Sequence, residues 1–122
     1  MSRSDQMSKV LKSLAANTAD VEAAAVVDND GLMLSSAMPQ DMDDDSVAAM
    51  SAALLGLGER IASVLNRGMF EMVMVRGGEG YVLITRCGPD TVLSVLTRRE
   101  AKLGLIFFDV NRAAKELSKL LD

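Results

Sequence analysis

Histidine is absent from this 122-residue sequence, and its absence removes several classes of catalytic site. Without it there is no Ser-His or Cys-His nucleophile pair, no imidazole general base and no histidine-ligated zinc. Any enzyme built on this chain would depend on carboxylates, lysine or backbone groups. We therefore predict a protein that is not an enzyme and has no catalytic, cofactor-binding or metal-binding residues.

Cysteine occurs once, as Cys87, so no internal disulfide can form. A single cysteine agrees with a reducing compartment. The first ten residues, MSRSDQMSKV, contain no apolar segment of the kind found in a signal peptide. We expect a cytoplasmic protein in which Cys87 packs as a small hydrophobic residue and has no redox role.

Aromatic residues make up only 3% of the chain, and the formal net charge is −4. Nucleic-acid binding needs a dense basic patch and aromatic platforms, so this composition excludes it. No uninterrupted apolar run approaches the roughly 18 residues that indicate a membrane span, and we predict no membrane insertion. The length and the 49% hydrophobic content favour one domain over residues 1–122.

The first third of the chain has the pattern of a helix followed by a hairpin. Apolar residues recur at three- and four-residue spacing from Met7 to Leu14, which predicts a short amphipathic helix. Two apolar runs follow, at residues 21–27 and 32–36, on either side of an Asp-Asn-Asp turn that ends in Gly31. Asn, Asp and Gly tolerate the positive φ that tight turns require, so these runs are predicted to be strands one and two.

An acidic segment, residues 41–45, precedes the next predicted helix. Its alternate aspartates imitate the start of an EF-hand calcium loop, but Ser46 and Ala52 stand where that loop needs glycine and a bidentate glutamate. The sequence therefore does not predict calcium binding. Asp44 or Asp45 is expected to cap the helix, because negative charge favours a helix N-terminus.

The middle helix is predicted to run from about Ser46 to Asn66. Its large apolar residues form a sustained stripe that predicts the buried side: Val47, Met50, Leu54, Leu57, Ile61 and Val64. The opposite side holds mostly small residues, which would let a partner surface approach closely. The alternative is that its alanines are simply good helix formers.

The segment Met69–Val110 is predicted to form a three-stranded meander that leads into a helix. Residues 69–75, 81–85 and 91–97 are apolar at both alternating sets of positions, so helices are expected to cover both faces of the sheet. Residues 77–80, GGEG, lack the Lys-Ser/Thr of a phosphate-binding loop and are predicted to be a hairpin turn.

A capping-box pattern, Thr97 to Glu100, predicts the start of the last helix. Its apolar positions from Leu103 to Leu120 again recur at three- and four-residue spacing, which predicts a broad face on the sheet. The predicted order of elements is αββαβββα, in the α/β (α+β) class.

Nearly the whole chain resembles the Roadblock/dynein light chain family, including its bacterial MglB-like branch. The resemblance lies in the hairpin EAAAVVDNDGLMLSS at residues 22–36, the small-residue middle helix, and the AKLGL entry to the last helix at residues 101–105. It implies a five-stranded antiparallel sheet in the order 2-1-5-4-3. The long middle helix would lie on one face and the two terminal helices on the other.

The resemblance also implies a homodimer, formed through the middle helices and third strands of two copies. A third strand at the sheet edge would carry no proline or lysine to discourage pairing. The matching dimer-interface positions are Ala49, Ala52, Gly56, Phe70, Met72 and Met74.

The function implied by the resemblance is a non-enzymatic regulator or scaffold that binds a Ras-like small GTPase and modulates its GTP hydrolysis. Docking candidates on the middle helix are Ala48, Leu55, Glu59 and Ser63, with Leu55 predicted to be an exposed anchor.

The alternative function is a small-ligand sensor or structural adaptor domain on a PAS-like or profilin-like sheet. A sensor would need a cavity with a few converging polar groups. The predicted strands offer few such groups beyond Glu71, Thr85 and Ser94.

Overall fold

The computed structural model describes residues 1–121 and contains three helices and five strands over that range. The order αββαβββα is confirmed. The elements are α1 (Arg3–Asn17), β1 (Val21–Asp28), β2 (Met33–Ala37), α2 (Asp44–Val64), β3 (Met72–Gly77), β4 (Gly80–Gly88), β5 (Thr91–Arg98) and α3 (Leu103–Leu121).

The five strands form one antiparallel sheet in the order β2-β1-β5-β4-β3, as the family resemblance implied. The first hairpin closes as its sequence predicts, with Gly31 at φ +85°. Asp28 Oδ1 accepts hydrogen bonds from the backbone N–H groups of Asp30 and Leu32, both at 2.9 Å. An aspartate side chain that bonds its own following backbone in this way stabilises a tight turn.

The sheet buries both of its faces, because alternate side chains on each strand point to opposite sides. On one face, Val26, Leu83 and Leu93 pack in a cluster with Leu11 of α1 and Ile106 of α3. On the other face, a second cluster lies under α2. The prediction that helices cover both faces is confirmed.

Two predicted helix starts are wrong. Thr97 belongs to β5, where it pairs with Val21 and Tyr81, and its hydroxyl donates to the Arg98 carbonyl. The strand ladders on both sides of β5 override the local capping pattern, and α3 begins later, at Leu103.

The N-cap of α2 is Asp43, one residue before the predicted caps. Asp43 Oδ1 accepts from the backbone N–H groups of Asp45 and Ser46, and Oδ2 accepts from the Ser46 hydroxyl at 2.8 Å. These hydrogen bonds to Ser46 and Asp45 lower the pKa of the Asp43 carboxyl.

Candidate interaction surface on α2 and β3

The side of α2 that faces the sheet is made of small residues and one leucine. Ala48, Ser51, Leu55 and Gly58 are buried, and Leu55 is only 1% exposed. The Ser94 hydroxyl on β5 donates to Ser51 Oγ at 2.7 Å. These residues hold α2 against the middle of the sheet.

The prediction that Leu55 is an exposed anchor is therefore wrong, and Ala48 is buried as well. The apolar stripe predicted to be the buried side faces largely away from the core. Small residues face the sheet because Phe70, only 5% exposed, fills the space against Gly58 and leaves no room for a β-carbon there. Glu59 and Ser63 are exposed, and their role in docking stays a prediction.

Four large apolar side chains on α2 have no cover in this chain. Met50, Leu57, Ile61 and Val64 are 61%, 55%, 48% and 69% exposed, and we call these four residues the α2 stripe. Single exposed leucines are common on protein surfaces, but an aligned row of large apolar residues marks a place where another surface binds.

The edge strand β3 is the second uncovered element. Met74 and Val75 are 41% and 45% exposed, and β4 is the one strand that pairs with β3 among residues 1–121. The Arg86 N–H donates to the Glu71 carbonyl at 2.9 Å. Because hydrogen-bonded and non-hydrogen-bonded pairs alternate along an antiparallel ladder, the N–H and C=O groups of Met74 point to the open edge.

The six predicted dimer-interface residues fall in different environments. Phe70 is buried under α2 in its own chain, so the prediction that it faces a partner is wrong. Met74 is exposed and Met72 is half-buried. Ala49 and Gly56 are exposed and Ala52 is half-buried, all on α2. For these five residues, contact with a second copy stays a prediction.

An ion pair fixes the C-terminal half of α2 to the sheet. Arg86 Nη1 on β4 lies 3.2 Å from Glu59 Oε2, and Arg86 also donates to the Pro89 carbonyl. The Arg86 side chain is 22% exposed and the Glu59 side chain 44% exposed. Because both side chains are partly exposed to solvent, the Arg86–Glu59 ion pair contributes little to stability. It does orient the C-terminal half of α2 on the sheet.

The family model for the Roadblock/LC7 domain matches residues 7–97, which span α1 to β5. The chain belongs to the Roadblock/LC7 family. The resemblance identified from the sequence is thereby confirmed.

The chain is also similar to one relative in sequence and to two solved structures in fold. An uncharacterized protein of Methanocaldococcus jannaschii, MJ1340, is 34% identical over 103 residues, which cover 84% of this chain and 90% of the relative. The structure of Myxococcus xanthus MglB superposes with a TM-score of 0.89 at 23% identity, covering 98% of this chain and 92% of MglB. A structure of MglB with tetrameric arrangement has the same TM-score at 19% identity, covering 98% and 90%. At these identities the two structures show a common fold.

The family and fold of this Roadblock domain are those of a small regulatory or scaffold domain and differ from those of typical enzymes. A module of this kind acts through its surfaces. The α2 stripe and the open edge of β3 are uncovered apolar surfaces, and they are the candidate site.

Helix α2 of this Roadblock domain, 21 residues long, contains an 18-residue window with a mean hydropathy of 1.4, which is the length and composition of a membrane-crossing segment. One such helix is weak evidence, because helices packed inside folded domains pass the same test. Glu59 and Arg60 interrupt its apolar sequence. Its residues at Ser51 and Leu55 are packed on the sheet, so its remaining apolar surface fits a protein contact.

A cleft of about 830 Å³ opens between residues 69–72 and the C-terminal half of α3. Glu71 and Thr85 both line it. The Thr85 hydroxyl is buried without a hydrogen-bond partner among the described residues. Ser94, the third polar group considered for a sensor, is instead bonded to Ser51 under α2. This cleft is open to solvent, and it gathers two of the three polar groups considered for a sensor.

Cys87 also lines this cleft and is packed as predicted, with 2% of its surface exposed. Burial raises the pKa of its thiol to about 11. The group is therefore neutral at physiological pH, and a neutral thiol is a poor nucleophile.

Proposed function

We propose that this Roadblock domain is a homodimeric scaffold that binds a Ras-like small GTPase and modulates its GTP hydrolysis. The observation that carries the proposal is the α2 stripe, which lies on the same side of the sheet as the exposed Val75 of β3. A second copy placed edge to edge along β3 would extend the sheet and bring the two α2 helices side by side.

Two contributions favour dimerisation: burial of the apolar α2 stripe and backbone hydrogen bonds along the open edge of β3. Fully burying a leucine, isoleucine or methionine side chain contributes roughly 1.5–3 kcal/mol, and the α2 stripe offers four large apolar groups. Strand pairing would satisfy the outward N–H and C=O groups of β3, and an unprotected edge of this kind is normally covered. The tetrameric arrangement of MglB, which has this fold, also supports self-association.

The GTPase part of the proposal rests on the family and on the MglB fold. In the dimer, the surface of α2 that neither the sheet nor the twin helix covers would face the GTPase, and Glu59 and Ser63 are its exposed polar positions. Nothing identifies an inserted arginine, so the domain would act by ordering the GTPase switch loops.

Sedimentation velocity at micromolar chain concentration tests the dimer with a matched pair of variants. Leu57 on the α2 stripe is 55% exposed, and Leu105 on α3 is 59% exposed. Leu57→Glu is expected to give a folded species of 13.0 kDa, because a buried unpaired charge at the dimer contact is costly. Leu105→Glu is expected to sediment as the parent dimer. A dimeric Leu57→Glu would place the contact elsewhere.

Calorimetry tests the GTPase. The purified domain is titrated with each Ras-like GTPase from the same genome, loaded with a non-hydrolysable GTP analogue or with GDP. Tighter binding of one GTP-loaded protein, weakened by Ser63→Lys at an exposed docking position and unchanged by the distant Lys12→Glu, is expected. Absence of binding to every candidate would reject the GTPase while leaving the dimer intact.

A further inference from the structure

Two arginines and a tyrosine converge on a cleft of about 440 Å³ at the end of the sheet, away from the α2 stripe. Its lining is Arg76, Gly77, Gly78, Tyr81 and Arg99, and we call it the arginine cleft. Arg76 pairs with Tyr81 across the β3–β4 ladder, and Tyr81 pairs with Thr97 of β5, two residues before Arg99. The sheet register therefore brings these residues together from β3, β4, the turn between them and the loop after β5.

The two guanidinium groups have no anionic partner within the described chain. Arg86, Arg98 and Arg112 form ion pairs with Glu59, Asp20 and Asp109. Neither Arg76 nor Arg99 forms one among residues 1–121, although Glu79 and Glu100 lie close to them in sequence. Two unpaired cations on one small cleft favour the binding of an anion.

We propose that the arginine cleft binds a small organic phosphate, either free or as a lipid headgroup. The planar guanidinium fork matches the oxygens of a phosphate group in a bidentate arrangement, which a second arginine reinforces. The Tyr81 hydroxyl adds a hydrogen-bond donor. Gly77 and Gly78 have no side chains, so a ligand can approach the backbone of the hairpin.

The size of the cleft points to more than inorganic phosphate. A volume of about 440 Å³ lies within the range of small-molecule sites, about 300–1,000 Å³. Within the cleft itself, the Tyr81 ring offers the organic part of the ligand an apolar surface beside the two arginines.

The arginine cleft is separate from the proposed GTPase surface. Tyr81 packs against the core cluster formed with α1 and α3, on the opposite face of the sheet from α2. The ligand and a GTPase on α2 would not compete for the same residues. This inference does not depend on the proposed GTPase function, and either can fail alone.

Calorimetry with phenyl phosphate, inorganic phosphate and benzoate tests the inference on the full chain. Phenyl phosphate is expected to bind most tightly. The double variant Arg76→Gln/Arg99→Gln should weaken its binding by about tenfold or more, because charge-assisted hydrogen bonds are the strong ones. The control Arg60→Gln/Arg67→Gln removes the same charge from exposed positions near the end of α2 and should bind as the parent does.

Three results would overturn the inference: no saturable binding of phenyl phosphate, an equal loss of affinity in both double variants, or binding of benzoate as tight as that of phenyl phosphate. Flotation with phosphatidylcholine vesicles, with and without phosphatidic acid, distinguishes a phosphate on a lipid headgroup from a free organic phosphate. Binding that requires both phosphatidic acid and the two cleft arginines identifies a lipid headgroup. Binding of phenyl phosphate without vesicle binding identifies a free ligand.

Discussion

Gly58 of α2 and Phe70, which precedes β3, lie in direct contact. A β-carbon at position 58 would stand 2.6 Å from Phe70 Cδ1, closer than such atoms approach in folded proteins. Phe70 is only 5% exposed and belongs to the core cluster under α2. This contact fixes which side of α2 faces the sheet and leaves the α2 stripe outside.

Gly58→Ala is predicted to destabilise the fold by about 1–3 kcal/mol, because the added methyl group overpacks against the phenyl ring. Gly104→Ala on α3 is the control, since a β-carbon there meets nothing within 4 Å, and it should not lower the free energy of unfolding, because helical alanine replaces glycine. Urea unfolding at one fixed chain concentration measures both, because the stability of a dimer depends on concentration. Equal changes in the free energy of unfolding for the two variants would contradict the Gly58–Phe70 contact.

Leu55→Ala is predicted to cost about 2–5 kcal/mol, the range for creating a cavity at a fully buried leucine. Leu105→Ala removes the same atoms from an exposed helical position and should change the free energy of unfolding by no more than about 0.5 kcal/mol. The difference between the two urea midpoints is the measurement. If Leu55→Ala lowered the free energy of unfolding no more than Leu105→Ala does, Leu55 would be a surface residue.

The Ser51–Ser94 hydrogen bond is predicted to show coupling in a double-mutant cycle. Both residues are buried, at 3% and 1% exposure. Ser94→Ala alone leaves the Ser51 hydroxyl unsatisfied, at a cost of about 1–3 kcal/mol. The double variant Ser51→Ala/Ser94→Ala should cost less than the sum of the single variants, since no unpaired hydroxyl remains. Strict additivity would contradict the bond.

Stability is predicted to fall as pH rises from about 9 to about 11. Burial raises the pKa of the Cys87 thiol from 9.0 to about 11 in the folded state, so over this interval the unfolded chain loses a proton that the folded chain keeps. The stabilisation is complete below pH 9 and is lost as pH passes through the folded pKa, by about 2–3 kcal/mol. Cys87→Ala should remove this part of the pH dependence. If the free energy of unfolding of that variant still fell with pH as in the parent, the pH dependence would belong to other titratable groups.

Met74→Pro is predicted to give a folded monomer. The Met74 N–H points to the open edge, so proline there removes a bond to a second copy without breaking the β3–β4 ladder. Val73→Pro is the control, since its N–H points to Ile84, and it should disrupt the strand. Circular dichroism and sedimentation distinguish the two. A dimeric Met74→Pro would exclude β3 as the dimer edge.

Local patterns predicted most of the elements but not all of their limits. The Asx-rich turn before Gly31 predicted a hairpin, and the strands that are apolar on both sides predicted helices on both faces of the sheet. The structure has both features. Thr97 illustrates the limit, because its capping-box pattern was overridden by strand ladders on both sides of β5. Strand β3 likewise begins at Met72, after Phe70 has turned under α2.

The sequence by itself determined that α2 has two sides, one rich in large apolar residues and one rich in small ones, since this follows from the helical period. Only the tertiary structure decided which side is buried. The space between α2 and the sheet is already filled by Phe70, so Gly58 and the small residues around it must face inward. Helical periodicity cannot distinguish apolar residues buried in the core from those left for a partner, because burial in either place removes the same apolar surface from water.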